Sequence, residues 1–499
     1  MGSPFSELQA GIDAAQPGDV VRVRPGTYAA IQTRTDGSRQ GWITIRSEER
    51  RQAIIEADGT ALEFTHDFHR FEGMVFDSTY GGGDGLEGGA ANVEFIDVEV
   101  MHTTGDCIDL RDSSDVLIEG CEIHHCIAEF DPDNNADSHG VTGDSVIGLT
   151  IRDSEISMLT GDAVQLSPGR DPWDRLLVED TVMWSGPLDE AVNGWQQGQP
   201  IGENAFDSKV GEALNGAGAR PTATFVNVVA YGWRGAISNQ AAFNTKEEVD
   251  FVLDRATIYD SEIAGRLRGP ASVRWQNVVI HDVDIAFRFE DELPQPEIYN
   301  TTFGGGIGTP MTDAGGEPNG PTFENLLFLA DALPELVDGG ASNLAVGVEV
   351  FEDATAHDYR LVMDSAPMDA GVDVPVVDRD RIGVSRPFGD AYDVGAFEWT
   401  DMPPEGETTG GTTGGDGSGD ESGTTDADDP GSGGGDTSGG GGDPSGDPSS
   451  ASSGAAAETD SGSASDGDDA GCGCTSSGAG HGALLFGLLA FRRRRPTGS

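Results

Sequence analysis

The sequence is poor in lysine, cysteine and aromatic residues, and no apolar run in it is long. Its 499 residues include five cysteines, 7% aromatic residues and only two lysines, Lys209 and Lys246. Lysine and arginine together number 29 against 87 aspartates and glutamates, which gives a net charge of -58. Such a chain repels nucleic-acid phosphates and anionic membrane surfaces, and we exclude nucleic acid as a partner. Divalent cations and basic partners remain compatible with the charge.

Part of this acidity lies in a segment of low complexity. Residues 401–470 are almost wholly Gly, Ser, Thr, Asp, Glu, Pro and Ala, without a lysine, arginine or aromatic residue. Such a composition cannot bury enough apolar surface to offset its chain entropy. We therefore expect a disordered acidic linker over 401–470, which follows one folded domain over 4–400.

A short motif recurs along 4–400, and no helical periodicity competes with it. The motif is apolar, polar, Asn/Asp/Gly, polar, apolar, and most copies are about 23 to 27 residues apart. The Asn, Asp or Gly position of its copies is occupied by Gly73, Asp97, Gly120, Asp153, Asp180, Asn227, Asp254, Asn277, Asn300 and Asn325. This period predicts an all-β fold, a right-handed parallel β-helix with one coil per repeat. The Asn, Asp or Gly is expected in a left-handed backbone conformation at a tight turn.

Both ends of this domain resemble a known superfamily. The segment 8–28 reads LQAGIDAA, PGDVVRV and PGTY, and it is similar to the amphipathic cap and first strand of pectate-lyase-like β-helix proteins. The segments 358–371 and 393–398 resemble the closing coils of the same superfamily. The resemblance implies the fold over nearly all of 4–400. It implies little about activity, because this fold hosts lyases, hydrolases, epimerases and adhesins.

The chain ends in a cysteine motif, a short apolar run and four arginines, over 471–495. The apolar run has about 10 residues, against roughly 20 for a membrane-spanning helix. The three parts resemble the MYXO-CTERM surface-sorting tail of myxobacteria. The resemblance implies export, cleavage near Cys472 or Cys474 by a sorting protease, and attachment to the cell envelope. Because residues 1–5 lack the features of a secretory signal, we expect the natural chain to begin further upstream.

Outward-facing columns of side chains follow from aligning the coils. If Ile108, Val141, Val164, Phe206 and Ile237 point inward, alternate residues of those strands point outward. The first predicted column contains Asp109, Thr142, Gln165, Asp207, Ser238 and Arg266. The second contains Arg111, Asp144, Ser167, Lys209, Gln240 and Arg268, and the third, at the preceding turn, contains Asp106, His139, Asp162 and Asn204. Coils stack about 4.8 Å apart, so these residues share one face.

That face has the residue types of a polyuronate site. Carboxylates are hard oxygen ligands suited to calcium, and the candidates are Asp106, Asp109, Asp162, Glu203 and Asp207. Lys209 is the candidate base, provided that burial or neighbouring cations such as Arg266 and Arg268 lower its pKa. The segment 203–209, ENAFDSK, resembles calcium-dependent β-helix lyases, namely the pectate lyases of family nine and the chondroitinase-B-like lyases. Gln165, Trp195 and Arg111 are the candidate sugar-contacting residues, and Trp195 is alternatively a core residue.

Other residues leave alternatives open. His139 acts as a base, contacts substrate, or is structural. The coil alignment places Cys107 and Cys126 on adjacent coils, where a disulfide is favoured in an exported protein. Free thiols, or a zinc site with Cys121, His124 and His125, are the alternatives.

These features predict a monomeric, surface-attached, carbohydrate-active protein whose partner is an acidic polysaccharide. The leading hypothesis is a polysaccharide lyase that cleaves by β-elimination, with calcium as its candidate cofactor. The second is a non-catalytic glycan-binding or adhesive solenoid, and the third is a glycoside hydrolase or uronate epimerase.

Overall fold

A computed structural model describes residues 5–132, 137–211, 220–337 and 342–401. Within these residues, three parallel sheets of 12, 13 and 11 strands run along the chain. Successive strands belong to the first, second and third sheet in turn, and each pairs with its equivalent in the next coil. This arrangement confirms the predicted all-β parallel β-helix.

The strand bounds follow the repeat. The first sheet contains Val20–Val23, Ile43–Ser47, His69–Glu72, Ala91–Ile96, Ser114–Glu119, Ile147–Arg152, Asp174–Glu179, Thr222–Val226, Asp250–Asp254, Ser272–Gln276, Glu297–Tyr299 and Thr322–Glu324. The second contains Gly26–Tyr28, Ala53–Glu56, Met74–Asp77, Glu99–Thr103, Glu122–Cys126, Glu155–Leu159, Val182–Trp184, Val229–Tyr231, Thr257–Tyr259, Val279–Ile280, Thr302–Phe303, Leu327–Leu329 and Leu344–Val346. The third contains Ile31–Gln32, Leu62–Phe64, Leu86–Gly88, Ile108–Arg111, Val141–Asp144, Val164–Ser167, Asn204–Ser208, Ala241–Thr245, Ser261–Arg268, Val283–Glu290 and Thr309–Asp313.

The remaining elements lie at the two ends. An α-helix covers Leu8–Ala14, two 3-10 helices cover Val348–Val350 and Ala354–Ala356, and an antiparallel pair joins Phe351–Asp353 to Asp358–Leu361. The Gln9 side chain donates to the backbone carbonyl of Gln32 and accepts from its N–H, at 3.0 and 2.9 Å. The helix therefore occupies polar groups of Ile31–Gln32, the first strand of the third sheet. Without it, this strand would be an open edge of the sheet. None of the helices in the described part of the chain is long and apolar enough to cross a bilayer.

The repeat motif marks the turn between the first and second sheets. In the described coils, nine of the ten residues at its Asn, Asp or Gly position have a positive φ, for example +53° at Asn227 and +56° at Asn277. The exception is Asp254, which ends its strand, and Arg255 takes the left-handed position at φ +56°. Asn and Asp tolerate this conformation, which explains their recurrence.

Apolar side chains from all three sheets fill the interior of the solenoid. The third sheet contributes Ile108, Val141, Val164 and Phe206, which are fully buried as the coil alignment predicts. Each such side chain stabilises the fold by about 1.5 to 3 kcal/mol relative to exposure. Ile237 was wrongly assigned to this column, because the next strand begins at Ala241 and Phe243 pairs with Phe206.

The segment 365–398 packs against the turns of the central and later coils. Arg381 donates to Asn227 Oδ1 at 2.8 Å, and Arg386 donates to Asn277 Oδ1 at 3.1 Å. Arg386 also pairs with Glu398 at 2.6 Å, and both side chains are fully buried. A buried charge is tolerated only when it is paired and hydrogen-bonded, as it is here. The sorting tail with Cys472 and Cys474, and all but the first residue of the 401–470 linker, lie outside the described residues.

Candidate functional site

The predicted first column exists on the outer face of the third sheet. Asp109, Thr142, Gln165 and Asp207 pair one after another in the sheet register. Their exposed fractions are only 8%, 9%, 5% and 4%, although they point away from the core. These side chains therefore line a recess, which we call the third-sheet groove. The column continues to Asn244 and then to Arg266, so Ser238 was wrongly placed in it.

Two chain insertions between the second and third sheets pack together beside this face. They lie between Cys126 and Val141 and between Trp184 and Asn204, whereas the coil between them has a turn of only four residues, 160–163, at this place. Trp195 donates from Nε1 to the carbonyl of Ala128 at 2.8 Å, and its ring contacts Phe130 at 5.0 Å. Trp195 thus packs one insertion against the other, which favours the core alternative over sugar stacking.

Asp207 is held by two lysines and an amide. Lys246 Nζ lies 3.1 Å and Lys209 Nζ 3.9 Å from Asp207 Oδ2, and Asn244 Nδ2 donates to Oδ1 at 3.0 Å. The two lysines of the chain therefore meet at one buried carboxylate. Trp173 fixes the backbone here, because its Nε1 donates to the carbonyl of Lys209 at 2.7 Å.

Sequence reasoning missed Lys246. The coil alignment placed Ile237 and Ser238 on the next strand, but the loop 232–240 intervenes and the strand is Ala241–Thr245. Asn244 pairs with Asp207, so Lys246 occupies the position two residues beyond, equivalent to Lys209. The rarity of lysine was the one signal in the sequence that pointed to it.

A cluster of buried acids adjoins the two lysines. Burial, and then repulsion from Asp162, Asp137 and Asp207, raises the pKa of Glu203 to about 9. Burial and the charge of Asp162 raise the pKa of Asp137 to about 6. Asp162 Oδ1 accepts from Asn204 at 2.8 Å, but its buried Oδ2 has no hydrogen-bond partner within the described residues. The groove thus holds four acidic groups beside two lysines, and burial together with mutual repulsion raises the pKa of these acids.

His139 lies beneath this cluster, fully enclosed. Its Nδ1 accepts from the backbone N–H of Asp162 at 2.8 Å, and the backbone N–H of His139 donates to Asp106 Oδ1 at 2.7 Å. Burial, and then the nearby charge of Lys209, lowers the pKa of His139 to about 3. The ring is therefore neutral with one nitrogen already engaged, which favours the structural alternative over a basic role.

The five predicted calcium ligands fall into two groups. Asp109 lies three coils from Asp207, about 14 Å at the usual coil spacing, and its carboxylate pairs with Arg111. Asp106 precedes the same strand as Asp109. Asp162, Glu203 and Asp207 are on two adjacent coils at the other end. In the described part of the chain, there are two sets of three side chains whose potential ligand atoms lie within 4.8 Å of one another. Neither set includes any of these five carboxylates. One ion therefore cannot contact all five.

The arginines expected to lower the pKa of Lys209 are engaged elsewhere. Arg266 pairs with Glu290 at 2.9 Å, and Arg268 lies 3.2 Å from the same carboxylate. Burial lowers the pKa of Lys209, but the carboxylates of Asp207, Asp162, Glu203 and Asp137 raise it further, so the net shift is upward. The expectation of a lowered pKa was wrong, because acids and not arginines surround the ammonium group.

The remaining sugar-contacting candidates differ in their surroundings. Gln165 lies in the column directly beside Asp207, and its buried Oε1 has no hydrogen-bond partner among the described residues. Arg111 is half exposed and contacts Asp84, Glu87 and Asp109. Gln165 therefore retains an unused polar group in the groove, whereas the charge of Arg111 is already compensated.

A disulfide joins Cys107 to Cys126, whose Cα atoms are 5.6 Å apart. It ties the beginning of a third-sheet strand to the end of a second-sheet strand, as the coil alignment favoured. Cys121 is a buried free thiol, and burial raises its pKa to about 12. These findings remove the zinc alternative for Cys107 and Cys126.

No protein-family model matches the sequence, and a search of curated proteins finds no match. Among solved structures, the chain is similar to the pectate lyase Pel9A at 14% identity and a TM-score of 0.50, with 78% of this chain and 90% of that chain covered. It is also similar to an alginate lyase from Paenibacillus sp. str. FPU-7, at 15% identity and a TM-score of 0.40, with 63% and 96% covered. The A-module of the Azotobacter vinelandii mannuronan C-5 epimerase AlgE4 has 12% identity and a TM-score of 0.40, with 63% and 96% covered. At these identities the similarity shows the pectate-lyase-like parallel β-helix fold alone.

Proposed function

We propose that this protein acts on an acidic, uronate-containing polysaccharide as a lyase that cleaves by β-elimination. The observation that carries the proposal is the third-sheet groove, where Lys209 and Lys246 converge on buried Asp207 beside three further acids. The fold similarity to a pectate lyase agrees with this assignment. Arginine serves for nearly every other cation in this chain, and arginine cannot accept a proton near neutral pH.

In the proposed reaction, a lysine amine removes the proton from the carbon next to the sugar carboxylate. The electron pair left behind forms the double bond and expels the glycosidic oxygen, which takes up a proton as it leaves. Lys209 is the proposed base, because its Nζ is further from Asp207 than that of Lys246. Lys246 then holds Asp207, and Gln165 Oε1 accepts a hydroxyl hydrogen of the sugar.

A divalent cation would require the carboxylates of this groove to move, because no three of them converge within 4.8 Å in the described part of the chain. An acidic polymer and an acidic groove repel each other, so a bound cation would have to offset both charges. The unpartnered oxygen of Asp162, with Glu203 and Asp207, offers hard oxygen donors of the kind calcium prefers. We propose these three as its ligands and leave out Asp106 and Asp109, which lie on other coils. Bound calcium would stabilise the charge that develops on the sugar carboxylate.

The test is an assay on a panel of polyuronates, with calcium and with a chelator. A lyase produces unsaturated uronates, which absorb near the ultraviolet edge, and we expect this absorbance with at least one polymer. Chelation should reduce the rate, and Lys209→Ala should abolish it. Cleavage to saturated products would identify a hydrolase, and a changed uronate composition without cleavage would identify an epimerase.

A non-catalytic glycan-binding solenoid is the second candidate. It is favoured by the raised pKa of Lys209, which keeps the amine protonated and paired with acids at neutral pH. This function predicts that a polymer is retained without products and that Lys209→Ala retains it equally well. The same panel, followed by co-sedimentation, therefore separates the two candidates.

We further propose that the protein is exported and attached to the outer surface through its processed C-terminal tail, with 401–470 as a stalk. The basis is the tail motif at 471–495. Mass spectrometry of the mature chain should find its C-terminus near Cys472 or Cys474 in the envelope fraction. An intact Arg492–Arg495 cluster in the mature protein would contradict this processing.

A further inference from the structure

A second cluster of ligating side chains lies outside the third-sheet groove. His281 and Asp282 follow the second-sheet strand Val279–Ile280, and His357 precedes the strand Asp358–Leu361. One potential ligand atom from each of the three lies within 4.8 Å of the others. The proposed lyase reaction uses none of these residues.

The three side chains converge on one oxygen atom. His281 Nδ1 lies 2.9 Å and His357 Nε2 lies 3.4 Å from Asp282 Oδ2. The other ring nitrogen of His357 faces the Tyr359 hydroxyl at 3.3 Å. Two imidazoles and one carboxylate form a donor set that suits zinc and neighbouring divalent transition metals, whereas calcium and magnesium prefer oxygen alone.

Packing fixes the two residues that the coil contributes. The His281 ring is buried between Tyr259, at 5.1 Å, and His357, at 4.2 Å, and it is nearly parallel to both. Arg234 Nη2 donates to the backbone carbonyl of Asp282 at 3.2 Å. His357 is more exposed and sits on a left-handed turn at φ +60°. Because its ring is stacked on His281, binding a shared ion requires this exposed side chain to rotate.

The glycine run 304–306 makes space for this cluster. A Cβ atom at Gly304 would collide with the Tyr359 ring, and one at Gly306 would collide with Oδ1 of Asp282. Gly305 donates its N–H to the Tyr359 hydroxyl at 2.8 Å. Side chains here would displace the carboxylate or the tyrosine beside His357. The glycine run thus permits the two histidines and the aspartate to meet.

From these contacts we propose that His281, Asp282 and His357 form a binding site for a divalent transition metal such as Zn²⁺. Water completes the coordination. Because His357 lies between the paired strands Phe351–Asp353 and Asp358–Leu361 and the other two ligands belong to a coil, the bound metal fastens that strand pair to the solenoid. The proposal is independent of the lyase function.

The experiment is a calorimetric titration of the full chain with Zn²⁺, without a histidine tag. All proteins carry Cys472→Ser and Cys474→Ser, because thiolates bind zinc themselves. Loss of an outer-shell partner already weakens metal binding by roughly tenfold to a hundredfold. We therefore expect His357→Ala and His281→Ala to weaken Zn²⁺ binding by at least tenfold. Zn²⁺ should also raise the thermal unfolding midpoint of the parent protein and leave that of His357→Ala unchanged.

The matched control is His124→Ala. With Glu99 and Glu122, His124 forms the other set of three converging ligands found in the described residues, but Arg51 already pairs with Glu122. We expect this variant to bind Zn²⁺ like the parent. Equal affinity in all proteins, or a loss of binding in His124→Ala alone, would overturn the proposal. His357 lies on an exposed turn, so its variant keeps the test valid if His281→Ala fails to fold.

Discussion

Among single residues, Lys209 and Lys246 are distinguished by what surrounds them. Both face the buried carboxylate of Asp207, but Lys246 is within hydrogen-bonding distance and Lys209 is not. Lys209→Arg keeps the positive charge and removes the proton acceptor. We expect kcat/KM on a cleaved polyuronate to fall by about 10² to 10⁴-fold, the usual contribution of a general base.

Lys246→Arg is the matched control for that substitution. It preserves the ion pair with Asp207, and we expect most of the activity to remain. The opposite pattern would make Lys246 the base. Full activity in both variants would show that neither amine takes part in the chemistry.

The pH dependence of the rate follows from the same acids. The pKa of Lys209 is raised, so the neutral amine is a minor species at pH 7 and its population grows as the pH rises. We expect kcat/KM to increase about tenfold per pH unit below that pKa. Asp137→Asn removes one of the charges that raise the pKa without removing a proposed calcium ligand, and it should move the rise to lower pH. A rate that declines between pH 7 and 9 would contradict the lysine base.

The residue scale shows where sequence reasoning was sufficient. Asp162, Gln165, Asp207 and Lys209 could be placed on one face because strand alternation and the repeat fix their direction. Lys246 could not, because a loop of nine residues shifts the next strand. The upward pKa shift of Lys209 also required the structure, since Asp137 and Glu203 reach it from insertions whose path no repeat determines.

Among the structural elements, the turns after the first sheet connect the coils to the segment 365–398. Asn277 is buried at φ +56°, donates to Asp254 Oδ1 at 2.9 Å and accepts from Arg386 at 3.1 Å. Asn277→Ala leaves Arg386 without that acceptor. We expect it to reduce the free energy of unfolding by roughly 2 to 3 kcal/mol, the usual cost of losing a hydrogen bond to a charged group.

Asp153→Ala is the control, because Asp153 occupies the same turn position at φ +50° and is exposed. Its loss should cost only about 1 kcal/mol, from the left-handed backbone. Thermal unfolding followed by circular dichroism compares the two variants with the parent. Equal midpoints in both variants would show that the contact of the segment 365–398 with this turn does not stabilise the fold.

At this scale the repeat predicted nine of the ten left-handed turns, because Asn, Asp and Gly are selected by the backbone conformation itself. Arg255 escaped detection because an arginine gives no such signal, and its neighbour Asp254 attracted the assignment. The contacts of 365–398 were also out of reach, since Arg381 and Arg386 resemble any surface arginine in the sequence.

For the whole molecule, the excess of acids has consequences for stability. A net charge of -58 produces repulsion that salt screens, so sodium chloride should raise the thermal midpoint. If Asp162, Glu203 and Asp207 bind calcium, Ca²⁺ should raise it further than Na⁺ at equal ionic strength. A ligand at 100 times its Kd stabilises by about 2.7 kcal/mol. We expect Asp162→Asn to lose the calcium-specific increment and keep the response to sodium, whereas equal increments in both proteins would exclude this site.

The fold of the whole molecule was more accessible from the sequence than its chemistry. A coil period repeated many times over averages out local irregularities, whereas a site depends on a few side chains near insertions of variable path. The groove therefore required coordinates, and its occupant requires a ligand.

The most direct measurement is a crystal structure of the Lys209→Ala protein soaked with a uronate oligosaccharide that the parent cleaves or binds. We predict that the sugar lies on the third sheet, with a uronate carboxylate beside Asp162 and Asp207 and a hydroxyl on Gln165. Density for the sugar on the first or second sheet, with the third sheet empty, would contradict the account.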